Sequence, residues 1–364
     1  MDVTALDWAD ALELDSLGMV AEAGRAVEAL EAGVAGGAAV ELPFPPEAVR
    51  AVAVCGMGGS AIAGDIVASV YRERLRRPVV TLRDYALPGW VGDDTLVVLM
   101  SYSGRTEETL TAAMQAVERG CLVVGVTSGG KLESFYGAQG VPIVRVPPGL
   151  QPRAAFYHLL GPLLVVLARL GVVPDVDGDL ADARDVLARG VAAYGPGAPA
   201  GENPARQLAA ALEGAVPLVY GAETTSAVAR RWKAQINENA KAPAFWAELP
   251  ELDHNEIVGF EKPGAFGARA HVVMLRDPHH HRQVQRRFEL TGELVEARVR
   301  GVASVTGEGG TALGRALDLV LLGDHVSVYM GLLRGVDPGP VTLIEELKGR
   351  LATTGYGRGP DPRG

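Results

Sequence analysis

Short continuous apolar runs alternate along this chain with longer stretches of mixed polarity. In the first half the runs are AVAVCG (51–56), PVVTLRD (78–84), DTLVVLMS (94–101), CLVVGVT (121–127) and VPIVRVP (141–147). They are rich in valine and bounded by turn residues. This predicts strands buried on both faces, as in a parallel sheet covered by helices. SAIAGDIVASVYRERL and TEETLTAAMQAVERG lie between them, space their apolar residues as helices do, and predict helices. The most apolar window, LLGPLLVVLARLGVV (159–173), holds a proline and an arginine and is shorter than the ~20 residues of a bilayer span. It predicts a buried core helix and no membrane segment.

The second half repeats this order. VPLVYG leads into a helix over TTSAVARRWKAQINENAK, and AHVVMLRD into one over HRQVQRRFELTGEL. EARVRGV (296–302) predicts a further strand, a long helix starts near Thr311, and VTLIEELKGRLA closes the fold. The Gly/Pro-rich stretch YGPGAPAGENP (194–204) divides the halves, and TGYGRGPDPRG ends the chain. The expected organisation is therefore α/β: two similar subdomains in tandem, at 1–195 and 205–355, with a flexible tail at 356–364.

Composition narrows the function. The 364 residues, 48% hydrophobic, can bury a sizeable core. A net charge of −10 argues against nucleic acid as a partner, which calls for a basic face. The two cysteines, Cys55 and Cys121, sit in or beside apolar runs and read as reduced core residues. The acidic start MDVTALDWADALELD lacks the basic-then-apolar order of a signal peptide. Together these give the expectation of a cytoplasmic protein.

Two glycine- and hydroxyl-rich turns carry the candidate chemistry. Gly56-Met57-Gly58-Gly59-Ser60-Ala61 follows the first strand and opens a helix, as a phosphate-binding turn does. It can be written G-x-G-x-x-A, but Asp84 lies somewhat late for the ribose-binding acid of a dinucleotide fingerprint, and there is no G-x-x-x-x-G-K-[ST]. SYSGRTEET places Ser101, Ser103 and Thr106 around a glycine at the start of the next helix. Plain capping by Thr106 explains this as well as phosphate binding does. A third such loop, TSGGKL (127–132), follows the next strand. Hydroxyls without an Arg or Lys clamp suit one phosphate monoester on a small molecule.

In the second half, Ala229, Trp232, Ile236 and Ala240 make an apolar helical stripe with Glu238 opposite, flanked by Asn237 and Asn239. His254 lies among Asp253, Asn255 and Glu256, off any apolar face. HHH (279–281) reads as a polar loop or helix start, because three adjacent side chains cannot face one ion on regular structure. On residue type alone, Arg153 is a cap or a salt bridge and Lys348 an ordinary surface lysine.

Taken in order, GMGGSAIAGD, SYSGRTEET, QPRAAF, NENAK…PAF and HNEIVGF resemble the bifunctional phosphoglucose/phosphomannose isomerase family of sugar isomerase (SIS) domain proteins. The resemblance runs from about residue 50 to the C-terminal helix. It implies two flavodoxin-like SIS subdomains, and a homodimer with the active site near the interface. It further implies a sugar 6-phosphate held by Gly59, Ser60, Ser101, Ser103 and Thr106. Glu238 would shuttle a proton between C1 and C2, and Arg153 would stabilise the enediolate. His254 would open the sugar ring, reaching the neighbouring subunit's site, with Lys348 assisting. No cofactor or metal is implied. Arg105 and Asp253 depart from the family pattern. Three functions stay open at this point: the isomerase (of glucose, mannose or another sugar phosphate), a non-catalytic sugar-phosphate-binding module, and a dinucleotide-dependent oxidoreductase.

Overall fold

A computed structural model describes residues 8–353; the expected tail at 356–364 lies outside them. Three helices, α1 (Trp8–Leu12), α2 (Met19–Ala23) and α3 (Ala26–Ala39), precede the first sheet. The chain then runs β1 (Ala51–Cys55), α4 (Gly58–Val70), β2 (Val79–Leu82), β3 (Thr95–Met100), α5 (Glu107–Glu118), β4 (Leu122–Thr127), α6 (Gly130–Gln139) and β5 (Ile143–Arg145). Helices α7 (Phe156–Arg169), α8 (Asp177–Tyr194) and α9 (Pro204–Leu212) lead to the second sheet. That part holds β6 (Val216–Ala222), α10 (Ser226–Asn239), β7 (Phe245–Leu249), α11 (Gly264–Gly267), β8 (Ala270–Arg276), α12 (Arg282–Glu296) and β9 (Gly301–Thr306). It ends in α13 (Ala312–Leu333) and α14 (Thr342–Thr353).

All strand pairs are parallel, in the orders β2-β1-β3-β4-β5 and β7-β6-β8-β9. Both follow the flavodoxin-like pattern, whose switch points lie between β1 and β3 and between β6 and β8. Every residue of β3 is buried, as its unbroken apolar run predicts. One large apolar core joins α3 and α7 to β1 and β3 and continues through α10 and α13. α8, which precedes the Gly/Pro-rich stretch, packs on α13 beyond it. By length and composition α13 could cross a membrane, but it is 94% buried inside the protein, as the core helix of a globular fold is.

Three elements differ from the sequence expectation. The strand expected at 296–302 forms at Gly301–Thr306, because α12 runs on to Glu296 and a turn follows. Residues 245–249, not expected as a strand, form the edge strand β7 against β6. The third loop opens a helix, α6, through Gly129 at φ 144°. The three histidines do open a helix. His281 is the N-cap of α12 and accepts from the Gln283 amide, while His280 is buried and stacks on Phe288.

The second sheet is locked at its switch point by a buried ion pair. Asp277, just past β8, accepts from Arg315 Nε (2.8 Å), the His279 amide (2.8 Å) and the Thr224 hydroxyl (3.0 Å). Burial alone would raise its carboxyl pKa, but these donors outweigh it and hold the group below the usual carboxylate range. A depressed folded-state pKa contributes stability above the unfolded value, and that stability is lost as pH falls. Asp277→Asn should therefore cost about 3 kcal/mol or more at neutral pH by urea unfolding. The gap to wild type should narrow as pH drops below about 4.

Candidate active site

The first sheet's switch point builds a hydroxyl cradle. Gly58 takes φ 50°, so the chain turns sharply from β1 into α4, and the helix start has no side-chain cap. Ser60 Oγ, buried, accepts from the Tyr102 amide at 3.2 Å and ties this turn to the loop after β3. In that loop Ser101 and Thr106 share a hydroxyl–hydroxyl hydrogen bond of 2.9 Å, and Ser103 Oγ accepts from the Arg105 amide. Thr106 sits at the N-cap position of α5, but its side chain does not cap the helix. It turns to Ser101 instead, leaving the first-turn amides of α5 without a side-chain acceptor, as an anion site requires. The third loop braces the cradle. A Cβ on Gly104 would lie 1.7 Å from the Gly129 oxygen, and Ser128 donates its amide and hydroxyl to the Tyr102 carbonyl. Arg105 is exposed at the loop tip.

Arg153 and Glu238 meet beside this turn. Arg153 follows the β5 loop and is 2% exposed. Its Nε donates to Asn239 Oδ1 (2.6 Å), and its Nη2 to the carbonyls of Pro338 and Gly339 (both 2.7 Å). Its Nη1 lies 3.6 Å from Glu238 Oε2. Burial lowers the guanidinium pKa and the Glu238 charge opposes that, but an arginine stays protonated. Glu238 keeps a quarter of its side chain accessible, on the last turn of α10, so a ligand can reach it. Gly58, Gly59, Arg153 and Glu238 line one cavity of about 180 Å³.

Neither His254 nor Lys348 joins this group. His254 ends a short 3-10 turn after β7 and is exposed. Lys348 lies on α14, which is exposed from Thr342 onward. The first turn of α14 does line a groove of about 460 Å³ with Asn237, Glu238 and Lys241.

Beyond Asn237 and Asn239, which the sequence already sets beside Glu238, several supporting residues were missed at the level of sequence. Lys241 takes φ 51°, rare for a residue with a side chain, and its Nζ donates to the carbonyls of Glu238 (2.6 Å) and Pro338 (2.9 Å). Burial, then the charge of Arg153, lowers its pKa. Its signal was its place directly after NENA. Asn237 holds the turn beyond α10 through the Ala242 carbonyl (2.8 Å), and Asn239 joins Arg153 to Ser327. Arg231 and Gln235 both grip Asp324, and nothing in the sequence marks that distant carboxylate.

A flavodoxin-like pair of parallel sheets with a hydroxyl cradle, and with a carboxylate and a guanidinium across the junction, defines a protein of the SIS class. The model of the bacterial phospho-glucose isomerase C-terminal SIS domain matches residues 201–351. A bifunctional phosphoglucose/phosphomannose isomerase of Caldicellulosiruptor bescii is 39% identical over 307 residues, covering 84% of this chain and 91% of that protein. One of Aquifex aeolicus is 37% identical, covering 83% and 90%. A crystal structure of a glucose-6-phosphate isomerase-like protein from Thermus thermophilus has the same fold, at TM-score 0.62 and 24% identity, covering 92% of this chain and 97% of that one. The chain belongs to the bifunctional phosphoglucose/phosphomannose isomerase family.

Two neighbouring glycines make contrasting predictions. A Cβ on Gly59 would lie 2.9 Å from both Arg153 Cα and the Pro152 oxygen, so Gly59→Ala must push α4 off the Arg153 backbone. It should cost about 1–3 kcal/mol by urea unfolding, as overpacking does. A Cβ on Gly58 meets nothing within 4 Å, so Gly58→Ala should cost only the ~1 kcal/mol of a left-handed backbone.

Proposed function

We propose that the protein is an aldose–ketose isomerase that interconverts glucose 6-phosphate and mannose 6-phosphate with fructose 6-phosphate. The observation that carries this reading is the accessible Glu238 carboxylate beside the buried Arg153, in a cavity bounded by Gly59 of the cradle. The 6-phosphate rests on Gly59, Ser60, Ser101, Ser103 and Thr106, where hydroxyls and the helix starts of α4 and α5 supply donors. With the ring open, Glu238 takes the proton from C2 of the aldose and returns it to C1. The aldehyde carbon is reduced as its neighbour is oxidised, so no outside electron acceptor enters. The cis-enediol between them carries developing oxyanion charge, which Arg153 stabilises from a fixed position. Removing such a base costs on the order of 10²–10⁴-fold in rate. In a coupled assay for fructose 6-phosphate, Glu238→Gln should lower kcat by that much, with its melting point near that of wild type. A wild type that binds the hexose phosphates without turning them over would overturn the reading in favour of a binding module.

Ring opening falls to His254, acting in the partner subunit's site of a homodimer, with Lys348 assisting. What supports this is exposure: His254 stands clear of its own chain's cavity, and α14 presents Leu343 (80% exposed) and Leu347 (58%) on one side. A shared site predicts complementation. Glu238→Gln and His254→Asn chains, each inactive alone, should regain about a quarter of wild-type activity when unfolded and refolded together in equal amounts, because each mixed dimer has one intact site. No recovery would place His254 in its own chain's chemistry or outside it. The cytoplasm suits this reading, since the two thiols, Cys55 and Cys121, are unpaired.

A further inference from the structure

The cavity shared by Gly59, Arg153 and Glu238 holds more positive charge than the mechanism above uses. Arg83, Arg230 and Arg231 line it too. Arg231 is buried against Asp324 at 2.9 Å, and its Nε meets no acceptor among the described residues. Arg83, beyond the end of β2, engages both oxygens of Asp65 on α4. Arg230 has only a lesser share of that carboxylate, at 3.4 Å, and this is its one side-chain hydrogen bond among the described residues. Arg153 and Arg231 each have a carboxylate within ion-pair distance that neither of the other two guanidinium groups shares, Glu238 and Asp324, whereas Arg230 shares Asp65 with Arg83 and otherwise lies 5.8 Å from the centroid of the Trp246 ring. Burial and the nearby Arg83 charge both lower its pKa, so an acceptor arriving in the cavity relieves an unfavourable placement of charge.

Topology says which part of a substrate would meet it. The strand order is β2-β1-β3. The hydroxyl cradle follows β3, Gly59 follows β1, and Arg83 follows β2. A sugar whose phosphate sits in the cradle runs across Gly59 toward Glu238, so its reacting end points at the Arg83–Asp65–Arg230 group. On α10, Arg230, Ala234 and Glu238 are spaced i, i+4, i+8 and share one face, with the small Ala234 as a floor between the two long side chains.

We propose that Arg230 is a substrate-contacting residue: its guanidinium donates to oxygens at the reacting end of the open sugar chain, with Asp65 and Arg83 positioning it, and it weights glucose 6-phosphate against mannose 6-phosphate. The proposal rests on the isomerase function above. The two aldoses differ only in the direction of the C2 hydroxyl and share one enediol. A donor held near that carbon therefore meets the two hydroxyls differently, and lost hydrogen bonds of this kind discriminate strongly.

The test measures kcat and KM on both hexose 6-phosphates for wild type, Arg230→Gln, Arg230→Lys and Arg230→Ala, each with its melting point. Arg230→Gln should lose about tenfold or more in kcat/KM and shift the glucose-to-mannose ratio by about threefold or more. Arg230→Lys keeps the charge and its contact with Asp65 but lacks the planar fork, so it should shift the ratio with a smaller loss. Guanidinium ion at millimolar concentration should restore part of the activity of Arg230→Ala. A merely structural tie from α10 to α4 would lower the melting point and both activities equally, with the ratio unchanged and no rescue; that result overturns the proposal. So would kcat/KM within about twofold of wild type for all three variants. If wild type turns over neither sugar, the isomerase reading itself fails and this proposal falls with it.

Discussion

The structure turns on one buried guanidinium. Arg153 belongs to the first half of the chain, yet most of its acceptors come from the second: Asn239 at the end of α10, and the carbonyls of Pro338 and Gly339 before α14. An arginine this deep is costly unless every donor finds a partner. The two halves therefore cannot part without leaving a charge and several carbonyls unsatisfied. Gly59 is the other side of the same constraint, because α4 comes close enough to the Arg153 backbone to exclude a side chain there. The start of α4, the Glu238 carboxylate and the loop launching α14 are thus referred to a single fixed point.

That arrangement separates two electrostatic tasks. The cradle uses neutral hydroxyls and helix-start amides, which suit a phosphate that must enter and leave. The cavity beyond Gly59 uses guanidinium groups, most of them already claimed by Asp65, Asp324, Asn239 and backbone carbonyls. Preorganised charge of this kind stabilises a transient oxyanion without rearrangement at the moment of reaction. Lys241 adds to the same order. Its left-handed backbone and its bonds to the Glu238 and Pro338 carbonyls fix the end of α10 against the loop that Arg153 also holds.

The sheet strands were legible because a parallel strand buried on both faces has an unmistakable apolar run, and β1, β3, β4, β6 and β8 all have one. β7 was not legible: FWAEL is an edge strand with Phe245 exposed and Glu248 turned out, so its pattern is that of a loop. The shift of β9 has the same origin, since GVASVT is only half-buried. In the site, Glu238 stood out because Asn237 and Asn239 flank it, whereas Arg153 read as a cap or a salt bridge until the family resemblance singled it out. Arg83, Asp65, Arg230 and Asp324 did not stand out, because a charged residue on a helix or after a strand is normally a solvated one. Only the closing of two distant halves turns these into a cavity wall. Thr106 shows the converse: position alone allowed a helix cap, but its hydroxyl turns to Ser101 and does not cap the helix.

The same fold offers a second switch point, between β6 and β8, and the chain fills it with its own charge. Asp277 follows β8 as the cradle's Ser101 follows β3, and Thr224 follows β6 as Gly59 follows β1. There a carboxylate accepts from an amide, a hydroxyl and the Arg315 guanidinium, which are the donors a bound phosphate would use. With that position occupied by a permanent internal anion, an incoming phosphate would meet repulsion instead of donors. The two switch points therefore differ: the hydroxyls of the first bond to each other and to backbone amides, whereas the second commits its donors to Asp277 and its chain contributes α10, with Glu238 near its end, to the cavity at Gly59.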